Sequence, residues 1–215
     1  MRAACGFLLL LSLPPVAAPP PGTISLFAGG ANETGARADA LQLMPGWDNR
    51  ALSDNAGGFY VVGTSQPCIR YVSPGGVSRL VLGTCFPYAP FACVLNGPNG
   101  DGGAATSALA CSPRAMALNS SGLFFADAAA ARVRFVSFSS GVVNTVVGNA
   151  TTCKNGVQRA PAVGTTVCLG APSALALSHN GTLLYIGDAG GRFIAAFSPA
   201  SGMVWLVAGT PASPM

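Results

Sequence analysis

Three segments of this chain share one pattern of residues, and that internal repetition restricts its fold more than any other feature. The first runs Ala51-Leu-Ser-Asp-Asn-Ala-Gly-Gly-Phe-Tyr-Val-Val-Gly63, then Cys68-Ile-Arg-Tyr-Val-Ser73, then Gly76-Val-Ser-Arg-Leu-Val-Leu-Gly83. The second runs Ala117-Leu-Asn-Ser-Ser-Gly-Leu-Phe-Phe-Ala-Asp127, then Arg132-Val-Arg-Phe-Val-Ser137, then Gly141-Val-Val-Asn-Thr-Val-Val-Gly148. The third runs Ala176-Leu-Ser-His-Asn-Gly-Thr-Leu-Leu-Tyr-Ile-Gly-Asp188, then Phe193-Ile-Ala-Ala-Phe-Ser198, then Gly202-Met-Val-Trp-Leu-Val-Ala-Gly209. Gly63, Asp127 and Asp188 close the aromatic run of each unit, at intervals of 64 and 61 residues.

Each unit reads as four short strands. A strand of small residues follows a proline (Pro45, Pro113, Pro172) and reverses at a turn rich in Gly, Asn or Ser, residue types that favour turn geometry. An aromatic and β-branched strand comes next, then a third such as Val133–Ser137. A Gly-led hairpin opens the fourth, such as Val142–Val147 or Met203–Val207. Runs of four to six residues cut by Gly suit antiparallel meanders and are too short for helices. Four-stranded units at this spacing predict an all-β fold of propeller blades, at about 43–84, 111–148 and 170–209. One such sheet has two apolar faces and cannot cover both alone. A neighbour on each side covers them, with small residues (Ala115-Met-Ala-Leu, Ala174-Leu-Ala-Leu) crowding the axis and bulky pairs (Phe124-Phe125, Leu184-Tyr185) filling the wider gaps.

The units resemble the NHL repeat, in which a Pro-led strand, a Gly turn and a strand ending in Asp precede an Ile-Arg strand. Leu123-Phe-Phe-Ala-Asp127 with Val133-Arg134 matches that pattern. Leu184-Tyr-Ile-Gly-Asp188 with Ile194 matches except that Ala195 replaces the Arg, and Tyr60-Val-Val-Gly63 with Ile69-Arg70 matches without the Asp. Asn99-Gly-Asp-Gly-Gly-Ala-Ala-Thr-Ser-Ala-Leu109 is similar to the linker between such blades, and Ala28-Gly-Gly through Asp39-Ala-Leu is a degraded copy. The resemblance covers Thr23 to Gly209 and implies a propeller, usually six-bladed, without implying one activity. Propellers close with about four to eight blades, so three make an incomplete ring. A thirteenth strand, Thr23–Ala28, is the candidate ring-closing strand. The chain therefore reads as the N-terminal half of a longer propeller or, alternatively, as one half-ring of a homodimer.

The first 18 residues read as an address. Met1–Ala18 has one positive charge at Arg2, an apolar stretch Gly6–Leu13 and small residues at its end, the order of a secretory signal peptide. No later apolar run reaches the ~18 residues of a membrane span, so an anchor would have to lie beyond residue 215. Residues 19–215 are then the mature propeller portion. Asn32, Asn119, Asn149 and Asn180 open glycosylation sequons, which are surface features of exported chains. Six cysteines follow Cys5 (68, 85, 93, 111, 153 and 168), an even number that predicts disulfides in an oxidising compartment. By their places in the repeat, Cys85–Cys111 and Cys153–Cys168 each staple an inter-blade loop, leaving Cys68 with Cys93.

Composition limits the chemistry. Charged residues make up 8% of the chain, against roughly a quarter in average domains, with one His, one Glu and six Asp. The net charge of +4 is scattered, whereas a nucleic-acid binder concentrates its charge. Asp127 and Asp188 recur at one turn: they either bind a cation at the channel mouth or accept backbone N–H groups of the following turn, paired with Arg132 or Arg134. Recurrence once per blade favours the structural role. Asn99-Gly-Asp101-Gly-Gly lacks the ordered carboxylates of a calcium loop and reads as an inter-blade turn. His179 precedes the Asn180-Gly turn with no partner suited to general-base chemistry. Arg70, Arg132, Arg134 and Arg192 occupy comparable third-strand positions. The resulting expectation is a secreted or cell-surface scaffold that binds protein or a small ligand at its loops. It needs no cofactor or nucleic acid and has no catalysis of its own. The alternatives are part of a metal-dependent lactonase-like or lyase-like propeller whose ligands lie in a missing half, and a fragment of a receptor ectodomain.

Overall fold

β-Branched and aromatic runs that are too short for helices pair with their neighbours in sequence, because tight Gly, Asn and Ser turns return the chain alongside itself. The computed structural model describes residues 50–63, 66–83, 85, 99–148 and 156–210. Among the described residues there are thirteen strands and no α-helix. The first sheet contains β1 (Arg50–Ser53), β2 (Phe59–Gly63), β3 (Gln66–Val72) and β4 (Ser78–Gly83) in that order. The second repeats the meander with β5 (Pro113–Asn119), β6 (Gly122–Asp127), β7 (Arg132–Ser137) and β8 (Val143–Val147). All pairings within both sheets are antiparallel. These are the expected partial propeller blades of an all-β fold. The candidate strand Thr23–Ala28 and residues 1–18 lie outside the described residues.

The third sheet departs from the four-strand expectation. It orders β10 (Pro172–Leu177), β11 (Leu184–Asp188), β12 (Phe193–Ser198) and β13 (Met203–Gly209), and then adds β9 (Ala162–Val163) on the outer edge. The fifth strand comes from the linker ahead of this sheet, which lies antiparallel along β13 with Val163 opposite Met203. The second sheet has a shorter version of the same contact, a single bridge between Ala104 and Val142. In both cases the linker satisfies backbone groups that the outermost strand would otherwise present unpaired.

The core lies between sheets. Successive side chains of a strand point to opposite faces, so β6 supplies two clusters. Leu123 and Phe125 join Tyr60, Val62, Ile69 and Leu82 of the first sheet. Phe124 joins Leu184, Ile186 and Phe197 of the third. Leu123 and Phe125 are wholly buried, and each such side chain contributes about 1.5–3 kcal/mol as an upper figure. The innermost strands are alanine-rich and converge: Arg50 Nη1 on β1 donates to the Ser173 carbonyl on β10 at 3.2 Å. An edge of the third sheet is thus within side-chain reach of the first, as a radial arrangement requires.

The cystine pattern differs from the expected one. Cys68 bonds Cys85, with Cα atoms 5.1 Å apart, which replaces the expected Cys85–Cys111 and Cys68–Cys93 pairs. The reason is strand register: Cys68 sits opposite Gly83, so the residue two places beyond the end of β4 returns beside the start of β3. That separation falls within the range a disulfide spans. Cys111 and Cys168 are also disulfide-bonded. Cys93 and Cys153 lie outside the described residues.

Candidate functional site

The recurrent polar residues gather at one rim, where strand one of each sheet begins and strand two ends. Antiparallel pairing puts Asp127 opposite Pro113 and Asp188 opposite Pro172. Each carboxylate therefore reaches the two residues ahead of its own blade's proline. Asp127 Oδ1 accepts hydrogen bonds from the Cys111 and Ser112 backbone N–H groups at 2.9 and 2.8 Å. Asp188 accepts from Gly170 at 2.7 Å and from Ala171 and Gly191 at 2.8 Å each. Only the Gly191 bond belongs to the following turn. The other bonds hold the incoming linker, a partner that chain-local reasoning did not identify.

Asp127 is fully buried. Burial pushes its carboxyl above the ordinary value of 3.8, opposed by the Ser112 and Cys111 N–H groups and by the charges of Arg134 and Arg132. Its Oδ2 takes no hydrogen bond from the described residues and lies 3.8 Å from Arg134 Nη1.

Arg134 is the centre of this corner and is itself fully buried. Its Nε and Nη2 donate to Asp101 Oδ1 at 2.8 and 2.6 Å, Nη1 to the Leu109 carbonyl at 2.7 Å, and Nη2 to the Asn99 carbonyl at 3.0 Å. The other Asp101 oxygen accepts from the Thr145 hydroxyl at 2.5 Å. Asn99, Gly100 and Gly102 carry positive φ angles of 50°, 87° and 84°, which curl the Asn99–Gly103 segment around the guanidinium. Planar forked geometry suits Arg and not Lys here. The pairing of this Arg with the Gly-Asp-Gly-Gly linker went unread in the sequence, although a signal was present. Where Ala195 replaces the Arg, the linker ahead also lacks that motif.

The other sequence candidates are dispersed. Arg70, at the position of Arg134 in the first sheet, is buried and donates to Ser78 Oγ at 3.3 Å; burial pulls its pKa down. Asn119 and Asn180 both sit at hairpin tips on the opposite rim. Asn119 Oδ1 accepts from Ser121 and Gly122 N–H groups, and Asn180 Oδ1 from the Thr182 N–H and hydroxyl. His179 is exposed beside Asn180. Asn32 and Asn149 lie outside the described residues.

A second feature is an open groove of about 410 Å³ on the third sheet at the polar rim. Gly187, Ala208 and Gly209 give it small-residue walls, Ile194 and Phe193 apolar surface, and Arg192 and Asp188 polar margins. The Asp188 oxygens already hold backbone N–H groups, and Arg192 is exposed. The groove is suited to receiving an apolar group.

No protein family matches the chain, and no curated protein matches it in sequence. Solved structures do resemble it. A protein of unknown function from Bacteroides thetaiotaomicron superposes with a TM-score of 0.50 at 14% identity, over 70% of this chain and 32% of that one. An auxiliary nutrient binding protein from Bacteroides ovatus gives 0.49 at 16%, over 78% and 39%. Another, from Bacteroides thetaiotaomicron, gives 0.48 at 16%, over 66% and 35%. The chain thus spans roughly a third of the length of these proteins, and the likeness to the first, at 14% identity, concerns the fold alone.

Proposed function

We propose that residues 19–215 form a secreted or cell-surface, NHL-like propeller portion that binds protein or a small ligand through its loops and catalyses no reaction. One observation carries this reading: in the second and third blades the buried Asp127, Asp188 and Arg134, together with the partly buried Asp101, are engaged in holding linkers to sheets. The hairpin tips, by contrast, are open. Gly76, Gly141 and Gly202 occupy equivalent turns at positive φ, and a Cβ added at any of them meets nothing within 4 Å. A rigid frame with tips open to solvent is the arrangement by which loops recognise partners. Cystines at Cys68, Cys85, Cys111 and Cys168 support an oxidising compartment.

The test is expression in secreting cells. The protein in the medium should begin after Ala18, and endoglycosidase should increase its mobility, by less in the N119Q and N180Q variants. Labelled protein should bind the surface of those cells saturably, in competition with unlabelled protein. Replacing tips 139–140 and 199–200 with Gly-Ser, which leaves the Phe138 ring on Tyr60, should abolish binding with little change in the melting temperature. Retention inside the cells, or binding that ignores the tips, refutes the proposal.

A further inference from the structure

The side of the third sheet that faces away from the second repeats, position by position, a surface that is buried elsewhere in the molecule. On the first sheet that surface is Tyr60, Ile69 and Leu82, exposed by 4%, 0% and 0%; all three pack against the second sheet. On the second it is Phe124, Val133 and Val147, exposed by 2%, 0% and 0%, against the third. The register equivalents on the third sheet are Tyr185, Ile194 and Ala208, because Tyr185 pairs with Ala176 as Phe124 pairs with Ala117, and Ile194 pairs with Ala208 as Val133 pairs with Val147. Here Tyr185 is 36% and Ile194 46% exposed, and Ala208 is exposed as well.

The groove continues the same correspondence. On the second sheet the matching corner is covered by Leu169, from the linker into the third sheet. Leu169 clusters with Val133 and Val147, and its Cδ1 lies 3.3 Å from where a Cβ on Gly148 would stand. On the first sheet Ala108 and Ala110, from the next linker, cluster with Ile69 and Leu82. On the third sheet this corner, at Ile194, Ala208 and Gly209, is the open groove.

We propose that this face is a docking surface for a further four-stranded antiparallel blade of the same repeat type. The argument is continuity with the two sheet-to-sheet interfaces already described, which use the same positions in the same register. The occupant therefore presents apolar residues at the positions of Leu123 and Phe125, or Leu184 and Ile186, and places an apolar linker residue in the groove. This inference does not depend on the loop-binding function proposed above.

Two measurements test it. In the unmodified chain, I194D should shift the melting temperature little, because Ile194 is exposed, whereas V133D at the buried equivalent position should lower it strongly. Equal losses would show the face already covered and would overturn the proposal. The second measurement appends another copy of residues 149–209 after Gly209. The tandem chain should melt in one transition above that of the unmodified chain, and I194D in its first unit should abolish the gain. An added unit that melts separately, regardless of I194D, refutes the docking surface. A discrete dimer of the unmodified chain in light scattering, dissolved by I194D, would assign the face to a second copy instead and would likewise overturn the proposal.

Discussion

Replacing Arg134 with methionine tests whether a buried cation holds the linker to the second blade. The substitution keeps an unbranched apolar stem and removes four hydrogen bonds, two to Asp101 and one each to the Leu109 and Asn99 carbonyls. It also withdraws the guanidinium 3.8 Å from Asp127, which has no exposed surface through which to rehydrate. Breaking a buried pair by removing one partner costs about 3–5 kcal/mol. The Asp101 side chain keeps 20% of its surface exposed and recovers part of its hydration, so the middle of that range, about 4 kcal/mol, is expected. For a chain of this size that lowers the melting temperature by about 8–16 °C. R134K, which keeps the charge but not the fork, should recover part of the loss. Urea unfolding of R134M, D101N and the double variant completes the cycle, in which the double variant should cost clearly less than the sum of the singles because the groups are in contact. A loss under about 1 kcal/mol for R134M, or strict additivity with D101N, would refute the account.

Other outcomes follow from the same geometry. D188A strands three backbone N–H groups, of Gly170, Ala171 and Gly191, and should cost about 3 kcal/mol or more in urea unfolding; D188N, which retains an acceptor, should cost less. C68S/C85S opens a cross-link of sequence separation 17 and should cost about 3 kcal/mol by chain entropy, with a cost near zero counting against a constrained unfolded state. G148A would bring a Cβ to 2.4 Å from the Ala131 carbonyl at φ +93°, whereas G141A at φ +68° meets nothing. Thermal melts should show G148A far more destabilised, with G141A losing only the about 1–2 kcal/mol of left-handed backbone.

Acid melts should separate two carboxylates. Asp54 is held below its ordinary value of 3.8, first by the Ala56 N–H and then by the Tyr71 hydroxyl. Its contribution is present above that value and is lost as pH falls through the lowered one. Asp127 is raised above 3.8 by burial, so its contribution is greatest below 3.8 and declines as pH rises through the raised value. D54N should flatten the loss on acidification, and D127N should remove the opposite slope; unchanged pH profiles in either variant would contradict the assignments.

Strand periodicity, turn chemistry and the threefold unit were legible in the residue order because each depends on neighbours a few positions apart. Val133–Ser137 and Met203–Val207 are short apolar-rich runs with Gly141 and Gly209 a few residues beyond them, and β7 and β13 include them. The partners of Asp127 and Arg134 were not legible in the same way. Asp127 binds residues 15 and 16 positions earlier, and Arg134 binds Asp101 33 positions earlier. The Asp127 contacts exist only after the register of β5 against β6 is set, and the Arg134 contacts only after the linker lies against β7 and β8.

The amino-acid order by itself determined that this chain makes short antiparallel sheets with two apolar faces, since alternation and Gly spacing act locally on backbone conformation. Tertiary structure alone decided that Cys68 meets Cys85, that a linker strand extends the third sheet, and that Tyr185 and Ile194 remain exposed while Phe124 and Val133 are buried. The physical reason is that register and sheet-on-sheet packing are set by contacts between distant residues, and equivalent residues in a repeat differ in burial only through what lies against them.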